Sequence, residues 1–401
     1  MDVLELVSDI ILYTIGIYLF LNCCYLLFFS IAGHQKKKGQ VQRQANHLRK
    51  MCVLIPAYRE NEVILDSCKA ALEHHYAGSF DVCVIADGLE PETLSSLVQL
   101  GAKVVEVNFE RSTKGKALLA ALDVLPSAEY EVAVVLDVDN IMGKGFLEEV
   151  NNAFGAGYKV VQAHRTAKNM ETSFAFLDAC NEEINNHIYR KGHFAVGLSA
   201  ALIGSGMAFD YQYFGKLLAG IGETVGEDKE LDFRIAKDQV KICYLNDVYV
   251  YDEKIENAQV FTQQRTRWIA SQLEFLKKYA AEGIRQLLKG NVEFFNKVVQ
   301  AFLVPRMLLI GVLGMFLLLS LVVPVGPSVG FWLVLCFMLS ASLFISLPGR
   351  FYSDPRLWKA ILRLPYAIFC MCIALLRVNK TKASFLPTPH KTKEVSTLLN
   401  N

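Results

Sequence analysis

Long uncharged stretches at both ends of this chain predict helices that could cross a membrane. Ile10 to Ala32 runs for 23 residues without a charge, which is long enough as a helix to span a hydrocarbon core of roughly 30 Å. A second uncharged stretch, Met307 to Gly349, is interrupted by Pro-Val-Gly-Pro and predicts a helical hairpin. Two buried helices of a soluble protein remain the alternative. The segment Leu364 to Leu376 is shorter and contains Pro365, so we expect an interfacial or re-entrant helix, or else a third C-terminal span.

The distribution of basic residues predicts which way these segments face. The run HQKKKGQVQRQANHLRK follows the first stretch, and four basic residues follow the hairpin. The positive-inside rule therefore predicts that both groups lie in the cytoplasm. The start, MDVLELVSD, is acidic and lacks the positive leader of a signal peptide. We expect a retained anchor and a multi-pass protein of the cell (inner) membrane, with its polar middle in the cytoplasm.

The middle of the chain alternates short apolar runs with helix-like periodicity. The runs are MCVLIP, DVCVIADG, AKVVEVN and VAVVLDVDN. Strands and helices that take turns predict an α/β fold, with a largely parallel sheet and helices on both faces. Ligands of such sheets bind beyond the carboxyl ends of the strands. Asp87, Asp137 and Asp139 fall at such ends.

Carboxylates and cations are predicted to converge on this rim. The first strand leads into Pro56, Tyr58 and Glu60, and Lys114-Gly115-Lys116 precedes the third helix of the region. This combination suits a nucleotide diphosphate bound with a divalent metal. A calcium loop of the EF-hand type is excluded by spacing, and a dinucleotide fold is disfavoured because no GxGxxG follows the first strand. A solvated turn remains the alternative for the DVD sequence taken alone.

Composition and charge narrow the possible ligands of this protein further. The net charge is +1, and no basic, aromatic-interleaved surface suggests nucleic acid. The ten cysteines lack metal-ligand spacing and are expected to be reduced and buried. Downstream, Glu227-Asp228 precedes a helical stretch and Gln264-Arg265-Thr266-Arg267-Trp268 opens an amphipathic one. Each motif is weak evidence of function by itself, because acidic residues are common at the start of a helix and tryptophan is common at the membrane–water interface.

Taken in order, these motifs resemble those of membrane-embedded family 2 glycosyltransferases, the processive group that includes cellulose, chitin, hyaluronan and poly-N-acetylglucosamine synthases. The matching elements are an isolated Asp, DxD, ED and QxxRW, and they extend from about Arg49 to Leu276. The resemblance implies a GT-A type nucleotide-diphospho-sugar transferase domain with flanking transmembrane helices. It also implies Mg²⁺ or Mn²⁺ as cofactor and a UDP-sugar as donor.

The same resemblance implies roles for individual residues. Donor-binding residues would be Pro56, Tyr58, Glu60, Asp87, Lys116, Asp137 and Asp139, with Tyr58 near the uracil and Asp139 at the metal. Asp228 would be the general base. The acceptor and the diphosphate would be held by Gly204, Ser205, Glu227, Gln264, Arg267 and Trp268.

The chain departs from the family pattern at several positions. Arg59 stands where PxYNE has Asn, Gly226 precedes ED in place of Thr, and Ile203 replaces the cysteine of the FCGS element. Near the C terminus, residues 385–391 (FLPTPHK) resemble the FxVTxK gating loop of cellulose synthases. A disordered basic tail is the alternative interpretation of that segment.

The implied reaction is a direct displacement that inverts the anomeric carbon, with the diphosphate as leaving group. We expect a hexose or N-acetylhexosamine to be added to a growing β-linked polysaccharide, with translocation across the membrane and possibly an export partner protein. The alternatives are a single addition to a lipid acceptor and a catalytically inactive, nucleotide-sugar-binding subunit. A carrier is disfavoured, because no internal repeat is visible.

The predicted domain organisation follows these patterns. It comprises an N-terminal anchor (1–33), a basic linker (34–48), a catalytic domain (49–262), a segment with QxxRW and amphipathic interface helices (263–300), a membrane hairpin (301–349) and a C-terminal membrane segment with a basic tail (350–401).

Overall fold

The computed structural model describes residues 3–35, 45–222, 224, 226–323 and 325–378. One sheet of eight strands forms its centre, in the order β3-β2-β1-β4-β7-β6-β8-β5. The strands are β1 (Met51–Tyr58), β2 (Phe80–Asp87), β3 (Lys103–Val107), β4 (Val132–Val135), β5 (Ile141–Met142), β6 (Val160–Ala167), β7 (Met207–Asp210) and β8 (Ile242–Asp252).

Helices cover the sheet and extend from it. They are α1 (Val3–Ala32), α2 (Val63–Leu72), α3 (Pro91–Leu100), α4 (Lys114–Val124), α5 (Phe146–Gly155), α6 (Ser173–Asn185), a π-helix (Asn186–Gly192), α7 (His193–Ala195), α8 (Tyr211–Leu218), α9 (Glu227–Lys237), α10 (Ala258–Leu288), α11 (Val292–Phe302), α12 (Arg306–Ser320), α13 (Val329–Ser346), α14 (Gly349–Tyr352), α15 (Arg356–Leu362) and α16 (Leu364–Arg377).

The predicted α/β class is confirmed, with a sheet that is mixed in direction. Strands β3, β2, β1 and β4 are parallel, whereas β7 runs antiparallel to β4 and β6, and β5 antiparallel to β8. Alternate residues of β1 pack into two separate apolar cores, Val53 and Ile55 on one face and Cys52 and Leu54 on the other. Because both faces are buried under helices, the strands are continuous apolar runs.

Within the described residues, two helices are long and apolar enough to cross a membrane, Glu5–Ala32 and Val329–Ser346. Two bent pairs raise the number to four if each is one span: α11 with α12 at 56°, and α15 with α16 at 49°. Helix α12 has only 15 residues, so by itself it extends for about 22 Å and is short for the first arm of the predicted hairpin. The bend between α11 and α12 falls at Leu303 to Pro305, before the uncharged stretch begins.

The N-terminal helix is attached to both the hairpin and the catalytic domain. Ser30 Oγ lies 2.8 Å from Ser342 Oγ on α13, and the Phe29 ring stacks on the His193 ring with centroids 3.6 Å apart. Helix α16, which contains the Leu364–Leu376 segment, packs against α10 and α12. Whether this segment crosses a bilayer stays a prediction. The FLPTPHK segment at 385–391 and residues 36–44 of the basic linker lie outside the described residues.

Candidate active site

The carboxyl ends of β1 and β2 bring the first predicted residues together. Tyr58 and Asp87 are register partners at the ends of these parallel strands. The Arg59 N–H donates to Asp87 O at 3.0 Å, and the Arg59 guanidinium lies over the Tyr58 ring at 5.1 Å. Arg59 has φ 57° and Gly88 has φ 70°, so both strands turn sharply here and leave the Asp87 carboxylate at the rim. Pro56, Tyr58, Glu60 and Asp87 all line the same cavity.

The DVD sequence forms a turn immediately after β4. The Asp137 N–H donates to Ser205 Oγ at 2.9 Å, and Ser205 Oγ donates to Asn140 Oδ1 at 3.1 Å. The two carboxylates differ in exposure: Asp139 is 3% exposed and accepts from the Glu253 N–H at 2.9 Å, whereas the Asp137 side chain is 32% exposed. Ser205 therefore holds the backbone of the turn rather than facing the cavity, while its neighbour Gly204 lines it.

Lys114 is the cation that faces this turn. Its Nζ pairs with Asp137, donates to Gly204 O at 2.5 Å and lies 3.9 Å from Glu227 Oε1. Burial by itself lowers the pKa of Lys114, but the carboxylates of Asp137 and Glu227 outweigh that effect and raise it. The predicted Lys116 is placed differently, because its Nζ donates to Arg111 O at 3.3 Å and it is not among the residues that line the cavity. Thr113 caps α4 by accepting from the Lys116 N–H, which turns Lys114 inward.

The ED pair begins helix α9 beside Lys114. Burial raises the pKa of Glu227 to about 7, with Lys114 opposing the shift and Asp228 adding to it. Asp228 Oδ1 accepts from the Lys229 N–H at 2.8 Å, and both acids line the cavity. Gly226 approaches α10 so closely that an added Cβ would lie 2.5 Å from Ser271 Oγ and 2.9 Å from Phe275 Cε2. A side chain at this position, such as the threonine of the family pattern, would therefore clash with α10.

The QxxRW residues lie on the first turns of α10. Gln264, Arg267 and Trp268 all line the cavity. Burial lowers the pKa of Arg267 and Glu227 opposes that shift, so the QxxRW arginine and the ED glutamate interact. The Trp268 side chain is 44% exposed, with the Arg265 guanidinium 4.0 Å from its ring centre. Gln264 Oε1 is buried and has no hydrogen-bond partner among the described residues.

A buried charge network lies next to this rim, and the sequence motifs do not indicate it. Arg165 Nε donates to Glu182 Oε1 at 2.6 Å and lies 3.8 Å from Asp252 Oδ2, while Lys254 pairs with both acids. Burial alone raises the pKa of Glu182, but Arg165 and Lys254 outweigh it and lower that pKa to about 2. Arg165 also lies 3.8 Å from Asp137 Oδ2. The available signal was a charged residue inside the otherwise buried strand β6.

These groups share one cavity of about 640 Å³. It begins at the strand ends, passes between the ED and QxxRW residues, and reaches the start of α12 and the middle of α16. The end of the cavity next to α12 and α16, called its membrane side below, is lined by residues that include Asn181, Asn185, Gln300, Arg306 and Met371. The arrangement combines anionic groups suited to a metal, cations suited to phosphates, and one acid, Asp228, near the middle.

The chain resembles a known protein family and several solved structures. The model of the family described as "Glycosyltransferase like family 2" matches residues 49–271. A mannosyltransferase from Pyrobaculum calidifontis, solved in complex with GDP-Man and Mn²⁺, is 16% identical, with 84% of this chain and 97% of that chain covered and a TM-score of 0.50. Glucosyl-3-phosphoglycerate synthase from Mycobacterium tuberculosis, solved with Mn²⁺, UDP-glucose and phosphoglyceric acid, is 18% identical over 60% of this chain and 85% of that one, with a TM-score of 0.40.

At these sequence identities, the solved structures show a similar fold and nothing further. No curated protein matches the chain at a significant level. The family match, however, spans more than half of the chain and includes all four motifs, from the isolated Asp to QxxRW. The chain belongs to glycosyltransferase family 2 and is an enzyme of the glycosyltransferase class.

Proposed function

We propose that this enzyme is an inverting transferase that moves a hexose or N-acetylhexosamine from a UDP-sugar to the end of a growing β-linked polysaccharide at the membrane. The observation that carries the proposal is the continuity of the cavity. The same space is lined by Asp87 and Asp137 at the strand ends, by Trp268 in the middle and by Met371 on α16. A sugar chain that leaves the site therefore meets the apolar helices directly.

The donor would occupy the strand ends. Tyr58 and Asp87 would bind the base and ribose, and Asp137 and Asp139 would bind the diphosphate with Mg²⁺ or Mn²⁺. The described residues contain no group of three or more His, Cys, Asp or Glu side chains that could hold an ion by themselves. This fits an ion bound by one or two carboxylates together with substrate phosphates. Both relatives named above were solved with Mn²⁺ and a nucleotide sugar.

A bound ion would stabilise the charge that develops on the departing diphosphate. The residues of the chain supply the remaining steps. Arg267 and Lys114 would share the charge of the diphosphate, because both line the cavity and both interact with Glu227. Asp228 accepts the proton of the attacking acceptor hydroxyl. A single base on one face leads to inversion, so an α-linked donor yields a β-linked product.

The acceptor would lie between Trp268 and the membrane helices. An aromatic face suits the apolar face of a sugar ring, and the amides of Asn181, Asn185 and Gln300 on the cavity wall suit its hydroxyls. We infer a catalytic domain in the cytoplasm and a product that crosses the bilayer beside α12, α13 and α16, with or without an export partner protein.

A lipid acceptor that receives a single sugar is the second candidate. It is favoured by the apolar side chains of Met307, Ala367 and Met371, which line the membrane end of the cavity and could accommodate an acyl or isoprenoid chain. In that case the membrane helices would only anchor the enzyme and bring it to its substrate.

Product analysis separates these possibilities. Purified enzyme is incubated with Mn²⁺ and a panel of radiolabelled UDP-sugars, and the product is sized after extraction with organic solvent. We expect one donor to yield a water-soluble polymer that a β-glycosidase digests. A product that enters the organic phase with one sugar would establish the lipid transferase instead. Binding of UDP-sugar without turnover on any acceptor would identify an inactive binding subunit.

A further inference from the structure

Two basic side chains of the cavity wall have no acidic partner within ion-pair distance among the described residues. Each buried acid on the membrane side of the site is already committed to a cation. The pairs are Glu182 with Arg165 and Lys254, Asp252 with Lys254, Asp178 with Arg265, and Asp232 with Lys297. Two further arginines, Arg190 and Arg306, line the same cavity. In the described part of the chain, neither has a carboxylate within ion-pair distance.

Both arginines are buried and are held only by neutral oxygens. Arg190 is 4% exposed, and its guanidinium donates to Ala201 O and Asn186 Oδ1, each at 3.0 Å. Arg306 is 8% exposed, and its Nη2 donates to Asn181 Oδ1 at 2.6 Å and to Asn185 Oδ1 at 2.8 Å. Arg306 Nη1 is buried without a hydrogen-bond partner among the described residues.

A buried cation without a counter-charge is costly, so it indicates a missing anion. Burial lowers the pKa of Arg190 to about 10, which still leaves this guanidinium charged at neutral pH. The nearby guanidiniums of Arg265 and Arg190 further disfavour the charge of Arg306. An oxyanion beside Arg306 would relieve this repulsion. The planar fork of arginine binds such groups with two parallel hydrogen bonds.

We infer that the acceptor is acidic: a sugar chain that carries a carboxylate, which the Arg306 guanidinium binds at the membrane side of the cavity with Arg190 adding to the positive field. This inference rests on the proposed function, because it names a property of the acceptor of that reaction. It makes Arg306 a residue that determines acceptor specificity and gives it no part in the chemical step.

The surroundings of Arg306 favour a sugar carboxylate over the phosphate of a lipid. Asn181, Asn185 and Tyr189 follow one another at intervals of four residues along α6 and the π-helix and all line the cavity. Amide and phenol groups next to the guanidinium suit the hydroxyls of a sugar ring. A lipid phosphate at Arg306 would leave these amide and phenol groups without partners, because its apolar chain would turn toward Met307 and Met371. The donor diphosphate has its own cations in Lys114 and Arg267.

The test compares two disaccharides that differ in one group. Cellobiose and its uronate, cellobiouronic acid, are titrated by calorimetry into detergent-solubilised enzyme, with and without UDP and Mn²⁺. We expect the uronate to bind at least about tenfold more tightly, the effect of one charge-assisted hydrogen-bonded pair. Arg306→Gln should abolish this preference and leave the affinity for UDP unchanged. Arg285→Gln is the matched control, since Arg285 is 73% exposed on the far part of α10.

Equal affinity for both disaccharides would overturn the inference, and so would a uronate preference that survives Arg306→Gln. Loss of UDP affinity in that variant would also contradict it. A fourth contradicting result is that dodecyl phosphate in the micelle competes for the acceptor site while the uronate has no effect. Titrations without UDP measure binding of the disaccharide by itself, so they test the inference separately from the proposed function. A wild-type protein that fails to bind UDP would refute the proposed function alone.

Stability provides a second readout. An unpaired buried cation costs free energy in the absence of its ligand, so the melting temperature of Arg306→Gln should equal or exceed that of the wild type, whereas a purely structural arginine would lower it on removal. An Arg306→Gln variant that does not fold would also identify a purely structural arginine, and Arg306→Lys and Arg190→Gln extend the test. The lysine variant keeps the charge but loses the fork and should retain only part of the uronate preference.

Discussion

The most quantitative consequence of the active-site geometry concerns the ED glutamate. Glu227 is buried beside Lys114, with its side chain 12% exposed, and its pKa rises from the usual 4.5 to about 7. For an acid whose pKa is raised by folding, stability is fully present below the unfolded-state pKa and is lost as the pH rises through the folded-state value. Ionised Glu227 therefore destabilises the unliganded enzyme at alkaline pH.

The substitution Glu227→Gln removes this penalty because glutamine has nearly the shape of the protonated acid. From the two pKa values the expected gain in the free energy of unfolding is about 1 kcal/mol at pH 5 and about 3 kcal/mol at pH 8. The assay is thermal unfolding of detergent-solubilised wild type and variant at both pH values, with EDTA so that no metal occupies the site.

The refuting result is specific. A melting temperature for Glu227→Gln that exceeds wild type by the same amount at pH 5 and pH 8 would mean that the carboxylate of Glu227 does not titrate between these values. A variant that is less stable at pH 8 would mean that Lys114 stabilises the ionised form more than burial disfavours it. Glu230→Gln removes another acid of α9, which pairs with Arg234 on that helix and with Lys278 on α10. This variant should lose stability at pH 8 and serves as the opposite control.

Four further predictions test the remaining assignments. Asp228→Asn should bind UDP-sugar normally and lower turnover by roughly 10² to 10⁴, because it removes the base but keeps the shape; wild-type turnover would remove Asp228 from the mechanism. Asp139→Asn should abolish turnover and weaken UDP binding in Mn²⁺, and unchanged affinity with and without the metal would contradict its role. Gly226→Ala places a methyl group 2.9 Å from the Phe275 ring and should destabilise the enzyme by about 1–3 kcal/mol while displacing the ED pair; turnover and melting temperature check it. His75→Cys, at a side chain that is 91% exposed, should react with an impermeant maleimide in inside-out vesicles and remain unlabelled in intact cells, if the catalytic domain is cytoplasmic.

The sequence by itself determined the α/β class, the strand ends and the candidate site residues. Buried parallel strands are continuous apolar runs, so a carboxylate that ends such a run marks the rim of the sheet. Asp87 and the DVD turn were identifiable for that reason, and the resemblance to family 2 glycosyltransferases indicated ED and QxxRW. The long uncharged helices were equally evident, because length and the absence of charge are properties of the sequence alone.

Only the tertiary structure decided which cation faces the DVD turn. Lys114 and Lys116 are equivalent in sequence, but the Thr113 cap starts α4 so that Lys114 points at Asp137 and Lys116 points away. The antiparallel direction of β7 was also undetermined, because a four-residue apolar run fits either direction. The first arm of the predicted hairpin is the 15-residue helix α12, which follows a bend of the chain between Phe302 and Arg306.

The buried charge network and the unpaired arginines were beyond the sequence for a further reason. Arg165, Glu182 and Lys254 are far apart along the chain, and a charge pattern predicts ion pairs only between neighbours on one helix or strand. Whether Arg306 has a carboxylate partner depends on which acids the fold has already paired with other cations. The pairing of these acids can be seen only in the folded protein. An unpaired charge is costly only when it is buried, and the packing of α6, the π-helix and α12 around one cavity buries Arg306.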